Sequence, residues 1–402
     1  VKIKSAYLEP LKNKLKFDKH IPIIFLLVFV FVFVSFFIFL TQNTKIKNMK
    51  KESDTKLATF NETKTELENL KNQDQVKRNN ELQDQINSIH NTFLKAVGVY
   101  EDLVSLDYKT KNDTTGIKKD FAQALSYLSE NNYQKSIETI ALVSDAISKE
   151  EEKIASTEIK QAVSVAQSNN APESGFSKQT VNVDGIGSFL VSIVAADLSS
   201  TRVIADTASD TECSNNCPTL PLATFVSRNG AYAGVNGSYF CPQEYPSCSG
   251  KTNSFDLLVM NNKKTYFNSD NNVYSTNPAV IFGEGYIRFV SQVSQWGRDT
   301  SPNGVLSNYP LLVSGGQVVF GGNDDPKQGS KGGRSFVGNK GSTVYIGVVH
   351  SATVAESARV LATLGMGNAL NLDDGGSTAL WDGGYKVGPG RNLANVILFV
   401  KK

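Results

Sequence analysis

Residues Ala369 to Gly384 read ALNLDDGGSTALWDGG, and this stretch sets the class of the fold. Apolar and polar residues alternate from Leu370 to Asp373. That period of two is a β-strand's, with Leu370 and Leu372 on one face and Asn371 and Asp373 on the other. The strand delivers a carboxylate to its own carboxyl end, where ligands commonly bind in α/β sheets. Asp374, Gly375 and Gly376 then supply a turn whose N–H groups can form an anion-binding nest. A plain hairpin loop with Asp as turn former is the competing reading. It is the better one for WDGG, Trp381 to Gly384, with Asp382 as turn chemistry.

Upstream, SATVAESARVLATLGMG reads as one amphipathic helix. Thr353 followed by Glu356 fits a capping box and Gly365 a C-cap, which makes Glu356 structural rather than catalytic. Short β-rich runs (FLVSIVAADL, FDLLVM, NPAVIF, YIRFV, STVYIGVVH, NVILFV) alternate with Gly and Asn turns around it. The expected fold class is an α/β (α+β) mixed-sheet catalytic domain over residues 180–402.

The N-terminal part is different in kind. Ile21 to Leu40, IPIIFLLVFVFVFVSFFIFL, is an uncharged apolar run long enough to cross about 30 Å of hydrocarbon. It ends in FFIFLTQNTK without a small-residue cleavage site, so it reads as an uncleaved signal-anchor behind a short N-terminus, residues 1–20. Lysines flank both sides (Lys12, Lys14, Lys16 and Lys19; Lys45, Lys47, Lys50 and Lys51) and barely decide orientation. The four cysteines, Cys213, Cys217, Cys241 and Cys248, decide it better. Their C-x3-C and C-x6-C spacings suit short-loop disulfides more than zinc knuckles, and sequence neighbours suggest Cys213 with Cys217 and Cys241 with Cys248. Disulfides place residues 41–402 outside the cytoplasm, in a single-pass cell-membrane protein.

Between span and sheet domain, residues 41–163 read as a helical stalk and hairpin. Leu82, Ile86, Ile89, Phe93, Val97, Tyr100 and Val104 recur at three and four residues and define one helix face. A second run carries Ile117, Phe121, Leu125 and Leu128, breaks at SENNYQ, and resumes through Ile137, Ile140, Val143 and Ile147. One such hairpin cannot make a solenoid. It is a stalk, a spacer or a self-association module of coiled-coil type. A Ser, Asn, Ala and Pro linker follows at 164–179. The formal net charge of +2 over 402 residues gives no basic field to gather nucleic acid.

Several constellations carry chemistry. Ser377 in GGSTA lacks the second glycine of a nucleophile elbow, and of His20, His90 and His350 only His350 shares its domain. NLDDGGS is not in EF-hand order, so no metal and no cofactor are called for. Arg334 follows the glycines of GSKGGRSFVG, where it can fork onto phosphate or carboxylate or pair with a surface Asp. Asn236 in GVNGSYF can orient a sugar hydroxyl or satisfy a turn. Arg391 follows GPG and opens the last strand.

In this order NGSYF, RSFVG, LDDGGS and GRNLANVILFV resemble the N-G-G-Y-F, R-[ST]-x-x-G, L-D-G-G-G-S and arginine-led closing segments of the phosphodiester glycosidase family. The resemblance spans roughly residues 180–402 and transfers Asn236, Arg334, Asp373, Gly375, Gly376, Ser377 and Arg391 by position. Asp374 stands where the family has glycine, and His350 in VVHSAT where it has aspartate. The resemblance implies a hydrolase of sugar 1-phosphodiesters in a cell-surface or extracellular glycan. Cleaving C1–O there expels a phosphate monoester, which needs less acid assistance than a sugar alkoxide. Arg334 and the Gly375–Gly376 backbone would hold the phosphate, Asp373 would act as nucleophile or base, and Asp374 is a second carboxylate. Asn236, Ser335, Asn371, Ser377, Arg391 and His350 would line the substrate. A carbohydrate-binding surface protein without catalysis, or a hydrolase of ordinary glycosidic bonds, are the alternatives.

Overall fold

The computed structural model describes residues 21–402 apart from 111, 164, 270–274 and 300. The N-terminal lysines and His20 therefore lie outside the described residues. Two compact units emerge, Val1–Asn87 and Ser88–Lys402.

In the first unit, α1 (Ile21–Lys71) continues the apolar run and the polar segment as one helix of 51 residues. From Leu26 to Leu40 it is exposed all round, with Phe29 at 70% and Phe31 at 72%. An 18-residue window reaches a mean hydropathy of 2.3, so the helix is long and apolar enough to cross a membrane. The next helix, α2 (Asp74–Lys109), begins in this unit and ends in the second.

The second unit opens with the rest of α2, α3 (Thr115–Ser129) and α4 (Tyr133–Val163). Their shared core is built by Ala96, Val99, Leu103 and Leu106 against Phe121, Ala124, Ile140, Val143 and Ile147. The buried face of α2 is thus one residue out of step with the stripe through Phe93 and Val97, and Ile86 and Phe93 are exposed. One residue is 100° around a helix. Small Ala96 and Thr92, both buried, let the neighbouring helices approach closely, and this outweighs the larger but sterically awkward Phe93.

Three sheets follow, and the pairings between their strands are antiparallel because hairpins and loops connect them, not crossover helices. The seven-stranded sheet runs in the order β1 (Gly175–Val183), β2 (Gly187–Asp197), β13 (Thr343–Ala352), β12 (Gly332–Lys340), β14 (Asn368–Asn371), β10 (Leu311–Ser314), β11 (Gln317–Val318). A five-stranded sheet has the order β16 (Tyr385–Val387), β15 (Leu380–Asp382), β4 (Ala231–Asn236), β17 (Asn395–Lys401), β3 (Thr201–Thr207). The other five-stranded sheet has β6 (Tyr266–Phe267), β5 (Val259–Met260), β9 (Gly304–Ser307), β7 (Ala279–Gly283), β8 (Tyr286–Val290).

Alternate residues of β2 explain the packing. Val194 and Ala196 enter a core shared with Val337 of the same sheet and with Val235, Phe282 and Phe399 from the other two. Ile193 and Ala195 face the opposite way, against a layer that includes Val354, Ala358 and Leu361 of α7 (Val354–Thr363). A strand covered on both faces reads as a continuous apolar run, which is why FLVSIVAADL does not alternate. Helix α7 starts on the expected capping box: Glu356 N donates to Thr353 Oγ1 at 3.1 Å, and Thr353 N donates to Glu356 Oε2 at 2.7 Å.

Both disulfides form as paired from sequence, Cys213 with Cys217 and Cys241 with Cys248, at Cα separations of 5.8 and 5.3 Å.

Candidate active site

Strand β14 alternates as its sequence demands. Leu370 and Leu372 enter the shared core, and Asn371 and Asp373 point the other way. Leu372 N donates to Ser335 O at 2.9 Å and Asp373 N to Gly237 O at 2.8 Å, so the carboxylate-bearing segment is clamped between the two sheets where they meet. Gly375 has φ +60°, a left-handed conformation that turns the chain away into a short 3-10 turn, Gly375–Ser377.

The two aspartates have different partners. Asp374 Oδ2 accepts from Arg334 Nη1 at 3.0 Å and from Asn371 Nδ2 at 3.2 Å, and its Oδ1 accepts from Ser335 N at 3.1 Å. Burial raises its pKa, and the Arg334 charge opposes that shift most strongly. Asp373 Oδ1 accepts from the Asp374 N–H at 2.9 Å. Burial pushes its carboxyl up to about 7, against the Ser377 hydroxyl and the Arg391 charge, which pull it down. It still keeps partial exposure. One carboxylate is locked in an ion pair and its neighbour titrates near neutrality.

Arg334 is nearly saturated. Besides Asp374, its Nε donates to Ala352 O at 2.9 Å and its Nη2 to Lys327 O at 3.0 Å and to Ser330 O. With 5% exposure it ties β12, the loop before it and the aspartate turn together. Asn236 is similarly committed: Nδ2 donates to Asp373 O at 2.5 Å, while Oδ1 accepts from Ser335 Oγ at 2.8 Å and Ala379 N at 3.1 Å. Both residues hold the aspartates in place.

Arg391 is the buried cation beside the glycine turn. Its backbone N donates to Gly376 O at 2.8 Å, and a Cβ on residue 376 would overlap its guanidinium. The guanidinium stacks on Tyr108 and Tyr245, 5.2 and 4.8 Å from the ring centroids, and donates to Tyr245 Oη at 3.2 Å. Its Nε is buried without a hydrogen-bond partner among the described residues. Glu244 lies 4.0 Å from Nη1 and accepts from Tyr108 Oη at 3.1 Å.

Asn371 Nδ2 also donates to Tyr239 Oη at 2.9 Å. Burial and the two aspartates hold the Tyr239 phenol well above its ordinary pKa, so it stays protonated as a donor beside them. His350 Nε2 lies 3.0 Å from Ser192 Oγ, on the wall of a cleft of about 250 Å3 that begins at Gly375 and Gly376.

Asn236, Arg334, Ser335, Asn371, Asp373, Asp374, Ser377 and Arg391 therefore converge on one locus, and His350 lies at the rim of the adjoining cleft. The sequence reading did not single out Tyr239, although it sits inside NGSYF. It also gave no role to Tyr108, Glu244 and Tyr245, whose positions depend on how α2 and the Cys241–Cys248 loop dock.

The family model for phosphodiester glycosidase matches residues 229–400, a span that holds all of these site residues except Tyr108 and Ser192. Residues 229–400 are thus similar to a phosphodiester glycosidase domain. That domain takes in the strands from β4 to β17, and β1, β2 and β3 complete two of its sheets from outside the matched span. A hypothetical protein from Synechocystis is similar at 16% identity and a TM-score of 0.44, over 56% of this chain and 62% of that one, so this chain spans less than two thirds of its length. The catalytic domain of zebrafish N-acetylglucosamine-1-phosphodiester alpha-N-acetylglucosaminidase, auto-inhibited by pro-peptide, is similar at 15% identity and a TM-score of 0.44, over 59% of this chain and 87% of that one. No curated protein matches the chain. The family of the domain supports a glycosidase-like activity.

Proposed function

We propose that this protein is a membrane-anchored, extracytoplasmic hydrolase that cleaves the glycosidic C1–O bond of a sugar 1-phosphodiester in a surface glycan. The observation that carries the reading is Asp373: a carboxylate raised to about 7, at a strand end, next to a glycine turn backed by a buried arginine. Perturbed carboxylates in such settings suit acid–base or nucleophilic work.

In this reading Asp373 either attacks C1 to form a glycosyl ester that water then hydrolyses, or takes the proton of the water that attacks C1. The C1–O bond breaks and its electron pair leaves on the phosphate oxygen. The products are the free sugar and the phosphate monoester of the aglycone. The charge on the departing phosphate is met by the Gly375–Gly376 turn and the Arg391 potential, in a site where burial strengthens electrostatics. Arg334 acts at one remove: its hydrogen bonds fix Asp374, and Asp374 orients Asn371 and, through its own N–H, the Asp373 carboxylate. Asn236 holds the Asp373 carbonyl. Ser335, Asn371 and Ser377 lie buried behind the aspartates, and His350 stands on the cleft wall.

The anchor follows from surface chemistry. An exposed surface as apolar as that of Leu26–Leu40, interrupted only by Ser35, costs about 25 cal/mol per Å2 of apolar area in water. A bilayer removes the cost. Two disulfides favour an oxidising compartment for the domain, which leaves residues 1–20 inside.

The test is a cleavage screen with the detergent-solubilised full chain. Sugar 1-phosphodiesters should be turned over and simple alkyl glycosides of the same sugars should not. Preference for simple glycosides would make it a hydrolase of ordinary glycosidic bonds.

A further inference from the structure

The helical region reaches the candidate site through one face of α2, and the contacts recur with helical spacing. Glu101 Oε1 accepts from Ser247 Oγ, and Glu101 Oε2 takes an ion pair from Lys327 at 3.1 Å. One turn on, Ser105 Oγ lies 3.0 Å from the point a Cβ on Gly375 would occupy. Tyr108 covers Arg391. Lys109, the last residue of α2, hangs over the floor of the 250 Å3 cleft: its Nζ is 3.8 Å from where a Gly332 Cβ would stand. Glu151 of α4 holds that ammonium at 2.6 Å, which occupies one of its three N–H donors.

Lys331 also lines this cleft, 55% exposed and 3.0 Å from Glu356. Gly332 and Gly333 keep the floor free of side chains, while Ile154, Val387 and Pro389 offer apolar surface. Drug-sized ligands take roughly 300 Å3 or more. A cleft of this size suits one sugar- or polyol-sized group.

We infer that this cleft is the aglycone subsite and that it takes a sugar or polyol carrying its own negative charge, with Lys109 of the helical region and Lys331 of the sheet domain as its specificity-determining cations. The inference rests on the phosphodiester glycosidase reading, because the cleft begins at the glycine turn where the scissile phosphate would sit. It goes beyond that reading in assigning part of substrate recognition to α2 and α4, which lie outside the span matched to the family. The bland role, a surface ion pair at Lys109–Glu151 that only docks the helices, predicts no dependence on aglycone charge.

Two measurements on the full chain in detergent test this. The first compares a sugar 1-phosphodiester of methanol with one of glycerol phosphate, for wild type and for Lys109→Gln with Lys331→Gln. Losing two charge-assisted contacts should lower the kcat/KM preference for the glycerol phosphate substrate about tenfold, mainly through KM. An unchanged preference overturns the inference. The second is direct binding of glycerol phosphate linked to a disaccharide, followed by calorimetry without turnover. Binding that weakens about tenfold in the double variant supports the subsite even if neither phosphodiester is cleaved, in which case the hydrolase reading fails alone. Equal binding by both proteins, or none by wild type, removes the subsite.

Discussion

Arg334 Nη1 lies 3.0 Å from Asp374 Oδ2, and this pair separates the roles of two adjacent aspartates. It occupies Asp374 and leaves Asp373 without a direct arginine partner, its carboxyl pushed by burial up to about 7. Both partners are buried, at 6% and 11% side-chain exposure, so removing one strands the other. Arg334→Ala should therefore destabilise the protein by about 3–5 kcal/mol, read as a lower urea midpoint. A loss below about 1 kcal/mol would show that the pair is not holding the turn.

Gly376 has no room for a side chain. A Cβ there would overlap the Arg391 guanidinium, which is fixed between two tyrosine rings. Gly376→Ala should cost about 1–3 kcal/mol by overpacking. It should also depress kcat more than KM, because it moves the cation that meets charge developing on the leaving phosphate. Wild-type kcat in the variant would remove Arg391 from the mechanism.

The pH dependence of stability has a fixed sign. The folded protein holds a proton on Asp373 up to about 7, while the unfolded chain releases it near 3.8. Between those values the native state binds more protons, so this group's contribution makes stability fall as pH rises from about 4 to about 7. Asp373→Asn lacks that slope. It should be more stable than wild type at pH 7.5, and the difference should close below pH 4. Thermal melts across this range would show it, and parallel curves would place the carboxylate in water.

The Cys241–Cys248 disulfide closes the loop that carries Glu244, Tyr245 and Ser247 onto Arg391 and α2. Closing so short a loop is worth about 2–3 kcal/mol. Cys241→Ser with Cys248→Ser should lose about that much stability in denaturant titration and should weaken the Arg391 stack. The same bond serves a topology test: thiol labelling of intact cells should require reductant. Cytoplasmic free thiols would overturn the extracytoplasmic assignment.

Much of this was legible from sequence where a local rule governs. The alternation from Leu370 to Asp373 put the carboxylate at a strand end, the Thr353–Glu356 spacing gave the cap, and nearest-neighbour cysteines gave the pairs. The buried face of α2 was not legible, because two candidate stripes one residue apart differ only in how closely other helices can approach. Arginine roles were also hidden. Arg334 and Arg391 both follow glycines, and only the folded chain shows that Arg334 is spent on three carbonyls and Asp374 while Arg391 backs the glycine turn. Tyr108 and Lys109 reach the site by docking over a long sequence separation, which no local pattern records.

The central claim is that Asp373 does the chemistry as a carboxylate. Its most direct test is kcat/KM for a sugar 1-phosphodiester from pH 5 to 9, in wild type and Asp373→Asn. The wild-type profile should rise through an apparent pKa near 7, and the variant should be at least about a hundredfold slower with that limb gone. Equal turnover by the two proteins, or a variant that keeps the rising limb, would contradict it.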